Sequence, residues 1–124
     1  MNDADGLLDP DRVLEPDLTT FVEQHVQSLL AWDIIVYFHR NPDSAIGREE
    51  LAARLGRRAE EVEPEVLRLS QTGLLALDDG MIRYSPSEDA EKCAGRFVAA
   101  CHDRNSRLAL IALVLHRMGA TSLD

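Results

Sequence analysis

The chain has 124 residues, with 22 acids against 13 bases and a formal charge of −9. That length allows one ordinary domain with a real core and excludes a large cofactor enzyme. At 45% hydrophobic and 28% charged the composition is globular, and its acidity opposes general nucleic-acid coating, because like charge repels phosphate at long range.

Residues 1–17 read as an acidic, flexible tail. Asp3, Asp5, Asp9, Asp11, Glu15 and Asp17 stand against Arg12 alone, a net −5, and Pro10 and Pro16 discourage a helix. The tail has no apolar stretch, so it does not read as a signal peptide. The longest apolar run, Leu108 to Leu115, is eight residues, far short of a bilayer span. A cytoplasmic protein without membrane contact is expected, and two cysteines fit a reduced compartment. All bases but Lys92 are arginine, which suggests a GC-rich bacterial genome.

Over 18–28, Leu18, Phe21, Val22, His25 and Val26 keep 3–4 spacing and predict an amphipathic helix with Asp17 as its N-cap. The stretch from Leu29 to His39 is apolar nearly all round and reads as a buried helix. Ser28 either caps it separately or lies in a bend of one longer helix. Asn41-Pro42-Asp43 ends it. Gly47 to Gly56 predicts a short helix with Leu51, Ala52 and Leu55 inward and Gly56 as its stop. The next helix carries Val62, Val66 and Leu69 inward and ends at Gly73. Pro64 suits only a first turn, which predicts a start near Glu60 or Glu61. Two short apolar runs around Asp78-Asp79-Gly80 predict a β-hairpin ending at Tyr84. Ser85-Pro86-Ser87-Glu88 predicts the start of a final helix over 87–118, with a tail at 119–124.

This order, helix, helix, turn, helix, hairpin, predicts a mainly α fold with a small β-hairpin: a winged helix-turn-helix over 29–86 with helical extensions at both ends. Glu49–Gly56, then Val62, Val66, Leu67 and Leu69, then Thr72–Leu75 and the hairpin ending in Arg83-Tyr84 resemble the winged-helix part of bacterial transcriptional regulators of the MarR and ArsR type. In DNA-binding members the third helix enters the major groove and the wing touches the backbone. The resemblance then implies DNA contact through Arg48, Arg54, Arg57, Arg58, Arg68 and Arg83.

The residues themselves point elsewhere. The third helix opens with Glu60, Glu61, Glu63 and Glu65, and the wing tip carries Asp78 and Asp79. Carboxylates there meet phosphate repulsion. A protein partner on the third-helix face of Glu61, Glu65 and Arg68 is the favoured expectation, with DNA as the alternative.

In the final helix Ala94, Phe97, Cys101, Leu108, Ile111, Leu115 and Met118 fall on a heptad stripe interrupted at Arg104. Phe97 and the residues from Cys101 onward are expected to form a homodimer seam, although packing against the first helix within one chain is the alternative. No nucleophile elbow, phosphate loop or dinucleotide fingerprint occurs, so no enzyme activity and no cofactor are expected. Cys93 and Cys101 lie too far apart on one helix for a disulfide, and Cys101-His102 has no spacing partner for zinc. His25, on an apolar face, reads as a packing residue.

Overall fold

The computed structural model describes residues 15–122, with side chains through Met118. Most of the acidic tail therefore lies outside the described residues. Among the described residues six helices and three short strands follow one another as α1 (Pro16–His25), α2 (Leu29–Arg40), β1 (Ala45–Gly47), α3 (Arg48–Leu55), α4 (Ala59–Gln71), β2 (Leu75–Asp78), β3 (Met81–Tyr84), α5 (Glu88–Ala100) and α6 (Arg104–Ser122). The fold is mainly α with a small antiparallel sheet, compatible with a winged-helix layout.

The tail ends earlier than 17. Pro16 is the first residue of α1 and Glu15 its N-cap. Proline fits here because a first-turn N–H has no helical acceptor and the fixed φ is already helical. Ser28 does cap α2 separately: its hydroxyl accepts from the Ala31 N–H at 3.0 Å. Leu30, Ala31, Ile34, Ile35 and Phe38 of α2 are buried. The C-terminal end of α2 is closed by Asn41, whose Nδ2 donates to the Tyr37 carbonyl at 2.9 Å.

The sheet order is β1-β3-β2, with both pairings antiparallel. β1 was not foreseen. Three residues, Ala45 to Gly47, are too few to show an alternation, and they become a strand by pairing Ile46 with Ile82. The hairpin forms as expected, with Asp78 opposite Met81 and a two-residue loop. Asp79 and Gly80 both have positive φ, 54° and 79°, the pair of left-handed residues that a type I′ turn requires.

Two helix starts differ from expectation. α4 begins at Ala59, so Pro64 is its sixth residue rather than a first-turn one. Its missing N–H leaves the Glu60 carbonyl without its helical donor on an exposed face, where water can serve. α5 starts at Glu88 with Ser87 as N-cap, its hydroxyl accepting from Ala90 N–H at 3.1 Å. Ser85 is not the cap.

The expected single helix over 87–118 is two helices. α5 ends in tight turns, with His102 N–H bonding to Ala99 O and Asp103 N–H to Ala100 O, both at 3.1 Å. Asp103 then restarts the chain as a cap, its carboxylate accepting from Ser106 N–H at 2.9 Å. A short acidic side chain that can bond its own downstream backbone competes well with a continuing helix. The heptad interruption at Arg104 coincides with this break, and α6 then continues past Gly119 to Ser122.

The core joins both ends of the chain. Phe97 of α5 meets Phe21 of α1 at 5.7 Å and Trp32 of α2 at 5.0 Å between ring centroids. α1 thus packs on α5 within one chain, as do α2 on α5 and both on α6. On the other side Phe38 stacks on Tyr84 at 6.4 Å, tying α2 to the sheet.

Candidate partner-binding face

α4 and the hairpin stand side by side, and a groove of about 510 Å³ opens between them. Strand alternation puts Leu75 and Leu77 on the same face of β2. Leu75 is buried under α4, whereas Leu77 projects past it and is 47% exposed. In register, Leu77 is opposite Ile82, which is buried in the groove floor. From α4, Val62, Val66 and Leu69 turn inward, while Leu67 falls off that stripe and is 46% exposed. Leu67, Leu77, Val66 and Ile82 therefore line the groove, with Arg48 and Glu63 at its rim.

The six arginines that DNA contact would use all pair with carboxylates of this same segment. Arg48 binds Glu49 at 3.0 Å and also binds Glu63. Arg54 pairs with Glu50 at 3.2 Å. Arg57 and Arg58 converge on Glu61 at 3.9 and 3.3 Å. Arg68 meets Glu65 at 2.7 Å, and Arg83 reaches Asp78 at 4.0 Å. The Glu61 carboxyl also accepts the Arg58 backbone N–H at 3.1 Å. This bond first, and the Arg58 guanidinium second, hold its pKa below the ordinary carboxylate value. Each pair alone is worth little in water. Residues 44–84 hold six arginines against eight acids, a net −2 that disfavours phosphate approach at long range.

Glu61, Glu65 and Arg68, the expected partner face, lie one turn apart on the flank of α4 that faces the α3–α4 turn. There Glu61 is engaged by Arg57 and Arg58, and Glu65 by Arg68. The flank beside the wing instead presents Glu63 and Leu67. Leu67 and Leu77 were not named as site residues: Leu67 lies off the inward stripe of Val62, Val66 and Leu69, and Leu77 sits in an apolar run of the hairpin. The available signal was that Leu67, one residue past the inward Val66, is turned about 100° from it on the helix.

The expected dimer seam divides at the helix break. Ala94 and Phe97 are fully buried in the core and Cys101 is half-buried. In α6 the inward residues are Ala109, Leu110 and Val114, not the heptad positions. Leu108, Leu115 and Met118 are exposed and Ile111 is half-buried, so these four make an outward apolar stripe.

His25 is 7% exposed and packs on Phe21 at 4.8 Å. Its Nδ1 is buried without a partner among the described residues, and burial lowers its pKa. Among the described residues no group of three His, Cys, Asp or Glu side chains is placed to hold a metal ion. No described helix is long and apolar enough to cross a membrane. The chain matches no protein-family model, no curated protein sequence and no solved structure.

Proposed function

We propose that this chain is a non-catalytic winged-helix regulatory module that acts in the cytoplasm through protein–protein contact and as a homodimer. The observation that carries the reading is the α4–wing groove. Two leucines project there, each nearly half exposed, beside arginines already neutralised by carboxylates. Apolar side chains at the centre of a patch with a mixed-charge rim are the makings of a protein interface. An apolar side chain of a partner, inserted between Leu67 and Leu77, would leave water together with both leucines. For dimerisation the support is the outward stripe of Leu108, Ile111, Leu115 and Met118 at spacings of three, four and three along α6, a seam that a second α6 can match.

The likeness to MarR and ArsR regulators keeps a second reading in play, a DNA-binding transcriptional regulator. It is favoured by one observation: Arg48, Arg54, Arg57, Arg58, Arg68 and Arg83 all sit on α3, α4, the turn between them, and the wing. The two readings part in a capture experiment with the full-length chain. The protein reading expects a bound partner that Leu67→Glu and Leu77→Glu both release and that Arg57→Ala with Arg58→Ala leaves in place. The opposite pattern, loss with the arginines and indifference to the leucines, contradicts it.

A further inference from the structure

A second cavity, of about 610 Å³, lies on another part of the molecule, between α2, the end of α3 and the α5–α6 turn. Its chemistry is the reverse of the chain's. In a protein of net charge −9, Arg40, Arg54 and Arg107 line it together, and Asp33 is the one carboxylate among its lining residues. Arg54 is paired with Glu50. Arg40 and Arg107 form no ion pair with any described residue. They come from the last residue of α2 and the first turn of α6, and both act on the Cys101 thiol between them. Burial raises that thiol's pKa, and the two arginines oppose the rise. Trp32 and Tyr37 are half-buried and form an aromatic wall of the same cavity.

Two guanidinium groups without an ion-pair partner among the described residues, sharing one concave site, favour an anion that meets both. Guanidinium groups match phosphate and carboxylate oxygens with paired, charge-assisted hydrogen bonds. The cavity falls in the size range of small-molecule sites and is much roomier than a bare oxyanion needs. An aromatic wall beside the arginines suits a flat organic body. We infer that this cavity binds a small organic oxyanion, its phosphate or carboxylate head between Arg40 and Arg107 and its flat body against Trp32 and Tyr37. The α5–α6 turn would then be held to α2 by the ligand.

The test uses the full-length protein and its own reporter, because Trp32 is the only tryptophan. Adenosine monophosphate, adenosine, inorganic phosphate and benzoate are titrated while Trp32 emission and binding heat are followed. The expected result is saturable binding of adenosine monophosphate or of benzoate, which separates a phosphate head from a carboxylate one. Adenosine monophosphate should bind more tightly than inorganic phosphate, and adenosine should not bind. Arg40→Ala and Arg107→Ala should each weaken the response about ten-fold or more, the loss expected for one charge-assisted contact. Both side chains are exposed and without an ion pair among the described residues, so the melting temperature should stay unchanged. Three results would each overturn the inference: no saturable response to either organic or inorganic anion, equal binding of adenosine and its monophosphate, or undiminished binding in both arginine variants.

Discussion

Arg48, the first residue of α3, and Glu63, on the wing-facing flank of α4, are joined by an ion pair and hydrogen bond across the rim of the α4–wing groove. Both side chains are about half exposed, at 47% and 49%, so water screens the pair and the bond itself adds little to stability. Its consequence is for recognition. The arginine nearest the groove is already committed to a carboxylate, and what the groove offers a newcomer is Leu67 and Leu77.

The first prediction follows from the exposure of those leucines. Leu67→Glu and Leu77→Glu should leave thermal stability within about 0.5 kcal/mol, because surface substitutions away from packed contacts have small effects. Leu69→Ala and Phe97→Ala, both fully buried positions, should cost about 2–5 and 3–5 kcal/mol respectively. Urea unfolding of the four variants gives the comparison. A loss of several kcal/mol in Leu67→Glu would mean that the groove is part of the core.

Assembly is the second prediction. Light scattering at micromolar concentration should report about twice the monomer mass. Leu108→Glu or Leu115→Glu should return a monomer with unchanged helical content, since a charge would enter a dehydrated seam. A clean monomer over a wide concentration range contradicts the dimer.

His25 sets the third. Burial lowers its pKa in the folded state, so the unfolded chain binds the proton more readily. The stability conferred by the neutral ring is complete above the unfolded value near 6.5 and is lost as pH falls through the folded value. The melting temperature should therefore drop between pH 7 and pH 5.5. His25→Leu should flatten that slope and, by removing the unpartnered Nδ1, should not lower stability at pH 7. An unchanged slope in the variant would place the sensitivity elsewhere.

Tyr84 gives a fourth. Its hydroxyl is buried without a partner among the described residues. Burial first, and the charge of Glu91 second, push its pKa up to about 12. Tyr84→Phe keeps the stacking on Phe38 and removes the stranded oxygen, so the variant should be as stable as the parent or more so, by about 1 kcal/mol. Destabilisation by more than that would show that the hydroxyl is used.

Much of this architecture is legible in residue spacing. α1, α3 and α4 announce their inner faces by periodicity, and Asp79-Gly80 announces the hairpin by the backbone it must adopt. What spacing cannot carry is a decision made by tertiary contact. β1 is a strand only because Ile46 finds Ile82 across the sheet. The break at Asp103 is settled by one carboxylate reaching one N–H, against a heptad pattern that reads straight through it. The groove is harder still, because Leu67 and Leu77 become an exposed apolar pair only through where α4 stops covering β2. The charges are legible too: four glutamates early in α4 are visible in the chain, and the structure adds the pairing of Glu61, Glu63 and Glu65 with the arginines around them.

The central claim, that the α4–wing face serves a protein rather than DNA, is tested most directly by fluorescence anisotropy with labelled duplex DNA across a salt series. With the arginines paired, binding at about 0.15 M salt should be absent or weak and indifferent to sequence, and Arg57→Ala with Arg58→Ala should change nothing. If instead the six arginines engaged six phosphates, the logarithm of affinity would fall with the logarithm of salt at a slope of about −5. Tight, sequence-selective binding at that salt with such a slope would contradict the account.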